Sequence, residues 1–319
     1  MFKLVPLAAA AVVAVAMVQP GAGRWSEKAP LPTAMAEVGV AALGGKVYVL
    51  GGTAQGRYDS PLNEQYDPAT NKWRERAPLP KGLSHVGTAT LGGKLYAIGG
   101  FINIVHVGAQ DAAFVYDPVG DRWASLPPLS SPRASVAAAA VGGKIHVIGG
   151  RGVDKVTVAT HEVYDPKTKA WTKAAPLPVA RDHAGIAVIA GKIHVFGGRT
   201  NDVTDNVALH DVYGPATDTW RAAAPMPTAR SSGAATVDRG LILFAGGECR
   251  PGGKPGDSLT YDTLEAYDPT TDTWLTLAPL PQGRHAFGAA TVGGVAYFAG
   301  GTTTCGGGND TKLLAFTLR

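Results

Sequence analysis

Six tryptophans, at positions 25, 73, 123, 171, 220 and 274, each stand 26 residues before the first member of a glycine pair, at 51–52, 99–100, 149–150, 197–198, 246–247 and 300–301. A tyrosine stands seven residues before each of the last five tryptophans: Tyr66, Tyr116, Tyr164, Tyr213 and Tyr267. Landmarks held in register this way mark an internal repeat, and a repeat of about fifty residues restricts the fold to arrays of one small unit. Within a unit the pattern reads as four strands. A small apolar stretch such as "VGVAAL" or "VAAAAV" comes first, and a turn, usually "GGK", leads to a second strand ending in the glycine pair. A variable loop follows, then a third strand ending in "YDP", where Asp and Pro favour a tight turn. The tryptophan strand completes the unit.

Composition agrees with an all-β chain of many turns: 42 of 319 residues are glycine and only 17% are charged. A net charge of +4 without a Lys/Arg run gives no basic patch of the kind nucleic acid requires. Residues 1–23 stand apart. The short basic start "MFK" and the uncharged run "LVPLAAAAVVAVAMV" fit a secretory signal peptide. The run is shorter than the roughly 20 residues of a membrane-spanning helix; an uncleaved anchor is the alternative. Small residues at Ala14 and Ala16, or at Gly21 and Gly23, offer cleavage points. The leader predicts a secreted or periplasmic protein, with no membrane insertion once it is removed and with residues 24–319 as one monomeric domain.

The glycine pair, the tyrosine and the tryptophan resemble the kelch repeat, and the resemblance covers residues 24–319. It implies a β-propeller with one four-stranded blade per repeat, hence six blades. The resemblance also accounts for the chain ends. The last unit has its first three strands, with Phe316 where tyrosine is expected, but no tryptophan strand. "RWSEKAPLP" at residues 24–32 is that strand, so the N-terminus completes blade six and closes the ring.

All length variation falls between the glycine pair and the aromatic, from 14 to 20 residues. These loops share one face with the "PLP" links between blades, and variable loops on a rigid scaffold are where binding concentrates. Aligning the links gives Met35, Leu83, Arg133, Arg181, Arg230 and Arg284 at one position and Glu37, His85, Ser135, His183, Ser232 and Ala286 two further on. Thr53, Phe101, Arg151, Arg199, Glu248 and Thr302 follow the glycine pairs. The expectation is a channel mouth lined by Arg133, Arg181, Arg230, Arg284, Arg151 and Arg199. Phe101, His85, His183 and Glu248 stand beside them, open to an anionic small molecule, a glycan or an acidic protein segment. The alternative is that each arginine bonds loop carbonyls or neighbouring acids.

His85, His183 and His285 with Asp182 or Glu37 could be posed as metal ligands, but no short-spaced ligand motif supports them, and neither a metal nor another cofactor is assigned. Copper oxidases of the galactose-oxidase kind also carry kelch-like blades, but nothing here can be placed on their ligand set. The apolar loop "FINIVHVGAQDAA" (101–113) reads either as a strand packed on a neighbour or as a partner-binding edge. One exported six-bladed kelch family comprises sialic acid mutarotases, whose acid/base pair is a glutamate after a glycine pair and an arginine six residues on. Glu248 matches the first, but Lys254 stands at the second. The two cysteines, Cys249 and Cys305, fall in the loops of neighbouring blades five and six, which predicts a disulfide in an exported protein.

Overall fold

The computed structural model describes residues 18–318 except 55, 105 and 203. The first 17 residues of the expected leader lie outside the described residues. Six four-stranded antiparallel sheets follow one another along the chain, the first five each built in sequence order from an inner to an outer strand. In blade one the strands are Gly39–Leu43, Lys46–Leu50, Asn63–Asp67 and Lys72–Glu75. The innermost strands of successive blades touch in a closed cycle, that of blade six meeting that of blade one. This is a six-bladed propeller.

The sixth sheet takes its outer strand from the far end of the chain. Arg24–Glu27 pairs antiparallel with Leu313–Thr317, and Trp25 faces Phe316 in the register where Trp73 faces Tyr66 in blade one. Residues 18–23, counted with the leader by sequence, also pack here. The Gly21 amide donates to Thr276 O at 2.9 Å, and Val18 and Ala22 lie against the hydrophobic layer between blades five and six.

Each landmark has one mechanical task. The tryptophan indole donates across to the preceding blade's link, to the carbonyl two residues before the buried Leu or Met of that link: Trp73 to Ala29, Trp123 to Ala77, Trp171 to Pro127, Trp220 to Ala175, Trp274 to Ala224 and Trp25 to Ala278, all at 2.8–2.9 Å. A partly exposed tryptophan is therefore a clasp as well as an apolar cover. The tyrosines are buried, with the interblade layers around them. The apolar residue of each link, Leu31, Leu79, Leu129, Leu177, Met226 or Leu280, is at most 3% exposed. The glycine pairs let backbones meet: Gly51 has φ of 63°, and a Cβ there would lie 2.3 Å from Leu83 O.

Two backbone rings tie the blades together on the loop face. The second glycine of each pair donates to the link of the next blade, from Gly52 to Leu83 O at 2.8 Å round to Gly301 to Met35 O at 2.8 Å. Nearer the axis, the amides of Glu37, His85, Ser135, His183, Ser232 and Ala286 each donate to the carbonyl of the equivalent residue one blade back, at 2.7–3.3 Å, and Glu37 to Ala286 closes the circle. All six residues have φ between 52° and 58°, a left-handed conformation that costs a non-glycine residue about 1–2 kcal/mol. The interblade hydrogen bond compensates that cost at every position.

Cys249 and Cys305 are bridged, with Cα atoms 5.2 Å apart, pinning the longest loop to its neighbour. Replacing both by serine is expected to cost about 2–4 kcal/mol in thermal unfolding. An unchanged melting temperature would show that the bridge constrains nothing.

Candidate functional site

The arc of arginines does not line the mouth. Arg133, Arg181, Arg230 and Arg284 are each at most 1% exposed. Each turns back into its own blade and meets an acid at or just before the third strand. Arg133 reaches Glu162 at 2.6 Å, Arg181 Asp211 at 2.7 Å and Arg284 Asp310 at 2.8 Å, and Arg230 pairs with Glu265. Further guanidinium N–H groups go to second-strand or glycine-pair carbonyls, such as Val147, Val195, Phe244 and Gly300, and to the link carbonyls of Val179 and Thr228, while Nε of Arg133, Arg181 and Arg284 has no aligned partner. A buried guanidinium needs such partners. In blade two the same two places are held by Leu83 and Phe114, an apolar version of the same brace. Phe101 is also fully buried, against Ala109 and Ala134, and offers no surface to a ligand.

What surrounds the axis is the inner ring and the groups next to it. Glu37, His85, Ser135, His183 and Ser232 present polar side chains, and Ala286 presents a methyl group. The loop expected over residues 101–113 is not one extended strand in its described residues. It bends back through a bridge between Phe101 and Ala109 and brings His106 over the mouth. The imidazoles of His85, His106 and His183 meet edge to face, with centroids 4.9–5.2 Å apart. Sequence reasoning missed His106, because it stands in the one stretch of the repeat that has no register.

Two arginines of the post-glycine position do reach this cluster. Arg199 donates from Nε to Asp182 at 3.1 Å, from Nη1 to Glu248 at 2.7 Å, and from Nη2 to the Nε2 atoms of His106 and His183 at 3.3 Å each. Arg151 is more exposed. It lies 3.6 Å from Asp182 and donates to Asn201 O at 2.5 Å. Asp182 also pairs with His183 Nδ1 and accepts from Thr157 at 2.7 Å. Glu37 Oε2 is 3.0 Å from His85 Nε2, off the alignment of a hydrogen bond. Lys254, at the position suggested by the mutarotase resemblance, is exposed on its loop, and Arg199 is the cation that Glu248 meets. His285 sends Nε2 to Thr304 O at 2.9 Å, away from the other imidazoles.

The electrostatics follow from burial and neighbours. Burial, then the nearby His85, His183 and Arg199, push His106 down to about 2. Burial and Arg199 also lower His183, against the pull of Asp182. Burial opposes ionisation of Asp182, but His183 and Arg199 outweigh it and hold the carboxyl below its ordinary range. Burial thus favours the neutral forms of His106 and His183; three carboxylates (Glu37, Asp182, Glu248) face two guanidinium groups (Arg199, Arg151) here, and the four aligned arginines are paired inside their blades, so those arginines do not give the mouth the positive field expected of them.

Below the ring runs a cavity of about 420 Å³ walled by small and apolar inner-strand residues such as Val40, Thr88, Ala138, Ile186, Ala235 and Ala289. A larger groove, about 870 Å³, lies between the constant turns of blades three and four on the opposite side. It is an open furrow between strand backbones, remote from the buried charges, and the ring is the better candidate site.

Comparison with known proteins bears on most of the chain. The profile of the KLHDC2/KLHL20/DRC7 Kelch-repeats domain matches residues 85–301, and the Kelch motif matches residues 34–80. No curated protein matches in sequence. The solved structure of YjhT superposes with a TM-score of 0.75, covering 92% of this chain and 97% of that one at 19% identity.

Proposed function

The chain belongs to the kelch-repeat family, and from that premise we propose that it is a ligand-binding propeller whose site is the carboxylate–imidazole mouth of the channel, with a glycan as its ligand. One observation carries the reading. Ala286 shows that the inner ring closes with a methyl group, so the fold does not require Glu37, His85 or His183 at the equivalent positions. Buried ionisable groups that the fold does not need, gathered on the loop face, are candidates for function. Their chemistry suits sugar hydroxyls: Glu37 and Glu248 accept, Ser135 and Ser232 donate or accept, and Arg151 and Arg199 donate. The balance of charge favours a neutral or weakly charged glycan over a strong anion, because the four arginines expected to attract one are neutralised inside their blades.

A second reading rests on the Glu248–Arg199 pair. Arg199 keeps the Glu248 carboxylate oriented at the mouth, which suits it to accept a proton from a sugar-acid hydroxyl in an isomerase. Proton-exchange NMR on N-acetylneuraminate with and without protein tests that reading directly.

For the binding reading, calorimetric titration with a panel of neutral and acidic oligosaccharides should find saturable binding to one class. Glu248→Gln should weaken it by about 1.5–3 kcal/mol, the scale of a charge-assisted hydrogen bond. A panel with no binder, or binding indifferent to both Glu37→Gln and Glu248→Gln in folded protein, would refute the assignment. Export fits the Cys249–Cys305 bridge, since disulfides persist in oxidising compartments.

A further inference from the structure

We infer that His85, His106 and His183 form a binding site for one divalent metal ion of the zinc or cobalt class at the mouth of the channel. Their candidate ligand atoms all lie within 4.8 Å of one another. An ion about 2.0–2.1 Å from each nitrogen requires them to draw in by about an ångström, a movement that loop-borne His106 is placed to make. The inference concerns the same mouth as the glycan reading but does not depend on any sugar binding there.

Four features point to a metal and not to simple imidazole packing. His85 is buried, and its Nε2 has no aligned hydrogen-bond partner. The Nε2 atoms of His106 and His183 both face Arg199 Nη2 at 3.3 Å, so two lone pairs already converge on a cation; Ser135 Oγ, 3.2 Å from His183 Nε2, is the remaining polar neighbour. The far nitrogens are anchored as metal-bound imidazoles usually are: His183 Nδ1 on the Asp182 carboxylate, and His85 Nδ1 on Ser84 Oγ at 3.1 Å. Finally, the carboxylates of the mouth outnumber its guanidinium groups, which leaves room for added positive charge.

The other buried histidines show the contrast. His146 bonds His161, and His194 bonds His210, each at 2.9 Å, with His161 and His210 spent further on the Ala175 and Ala224 carbonyls. Those pairs have no nitrogens converging on a common point. At the mouth, three protein nitrogens leave a fourth position beside Glu37, whose Oε2 is 3.0 Å from His85 Nε2. Three protein ligands with an open position is the arrangement of zinc sites that act on a bound molecule. In this arrangement the ion takes the place of the Arg199 Nη2 contact, while Arg199 keeps Asp182 and Glu248.

Untagged protein, treated with a chelator and dialysed, is titrated with Co²⁺ and followed by visible spectroscopy and equilibrium dialysis, then with competing Zn²⁺. One equivalent should bind, with visible cobalt bands that Zn²⁺ abolishes. His106→Asn, a loop substitution that should leave the melting temperature of the ion-free protein unchanged, should weaken Co²⁺ at least tenfold, as should His183→Asn. Absence of saturable binding to the unsubstituted protein would overturn the inference, as would affinity unchanged in both variants. Binding that emerges only after Arg199→Gln would also overturn it, since the guanidinium would then be the native cation. No sugar enters this titration, so its failure and that of the glycan reading are separable.

Discussion

Deleting residues 24–32 is expected to unfold the domain, not to trim a tail. The segment supplies the outer strand of blade six, in register from Arg24 with Thr317 to Glu27 with Leu314. It also carries Trp25, packed on Phe298 and Phe316 and clasped to Ala278, and Leu31, 2% exposed in the layer between blades six and one. Loss of a buried tryptophan alone costs about 3–5 kcal/mol, and Trp25 is only half-buried, so its share lies toward the lower figure. Leu31 adds about 2–5 kcal/mol, and the Leu313–Thr317 edge is left unpaired. Together these approach the roughly 5–15 kcal/mol that holds a domain folded. Circular dichroism melting of the truncated chain checks it; a cooperative transition at the original temperature would show that the ring does not depend on this closure.

The second large effect concerns the arginines. Arg181→Ala and Arg133→Ala are expected to destabilise the protein by about 3–5 kcal/mol each, because removing one partner leaves a buried carboxylate, Asp211 or Glu162, without its countercharge. For a protein of this size that lowers the melting temperature on the order of 10 °C. The double replacement Arg133→Leu with Glu162→Phe, which copies the Leu83 and Phe114 pair of blade two, should recover much of the loss. Full stability in Arg181→Ala, with ligand binding alone impaired, would return these residues to the mouth.

The acids that hold these arginines were legible beside them. Glu162, Asp211 and Glu265 stand two residues before their tyrosines, and the one blade with Leu83 at the link has Phe114 at that place. In blades two to five the pairing of Arg with acid and of Leu with Phe is a packing signature visible within the repeat, whereas blade one sets Met35 with Glu64 and the partner of Arg284, Asp310, stands six residues before Phe316. Aligning the links alone could not show it, because a link residue and a third-strand residue meet only when the blade is folded.

By itself the sequence determined what recurs. Local spacing sets where a strand ends and a turn begins, so the constant distances among tryptophan, glycine pair and tyrosine dictated six blades. The absence of a sixth tryptophan strand after Phe316 dictated that the N-terminus closes the ring. Even Glu37, His85 and His183 were aligned as one position per blade. Tertiary structure decided which way side chains point and what non-repeating segments do. The arginines turn inward where an acid of the same blade and nearby carbonyls supply the countercharge and hydrogen bonds that a buried guanidinium needs, and that direction depends on two parts of the blade meeting. His106 reaches His85 and His183 only because its loop folds back over the axis, bringing together residues from blades two and four that no sequence period relates.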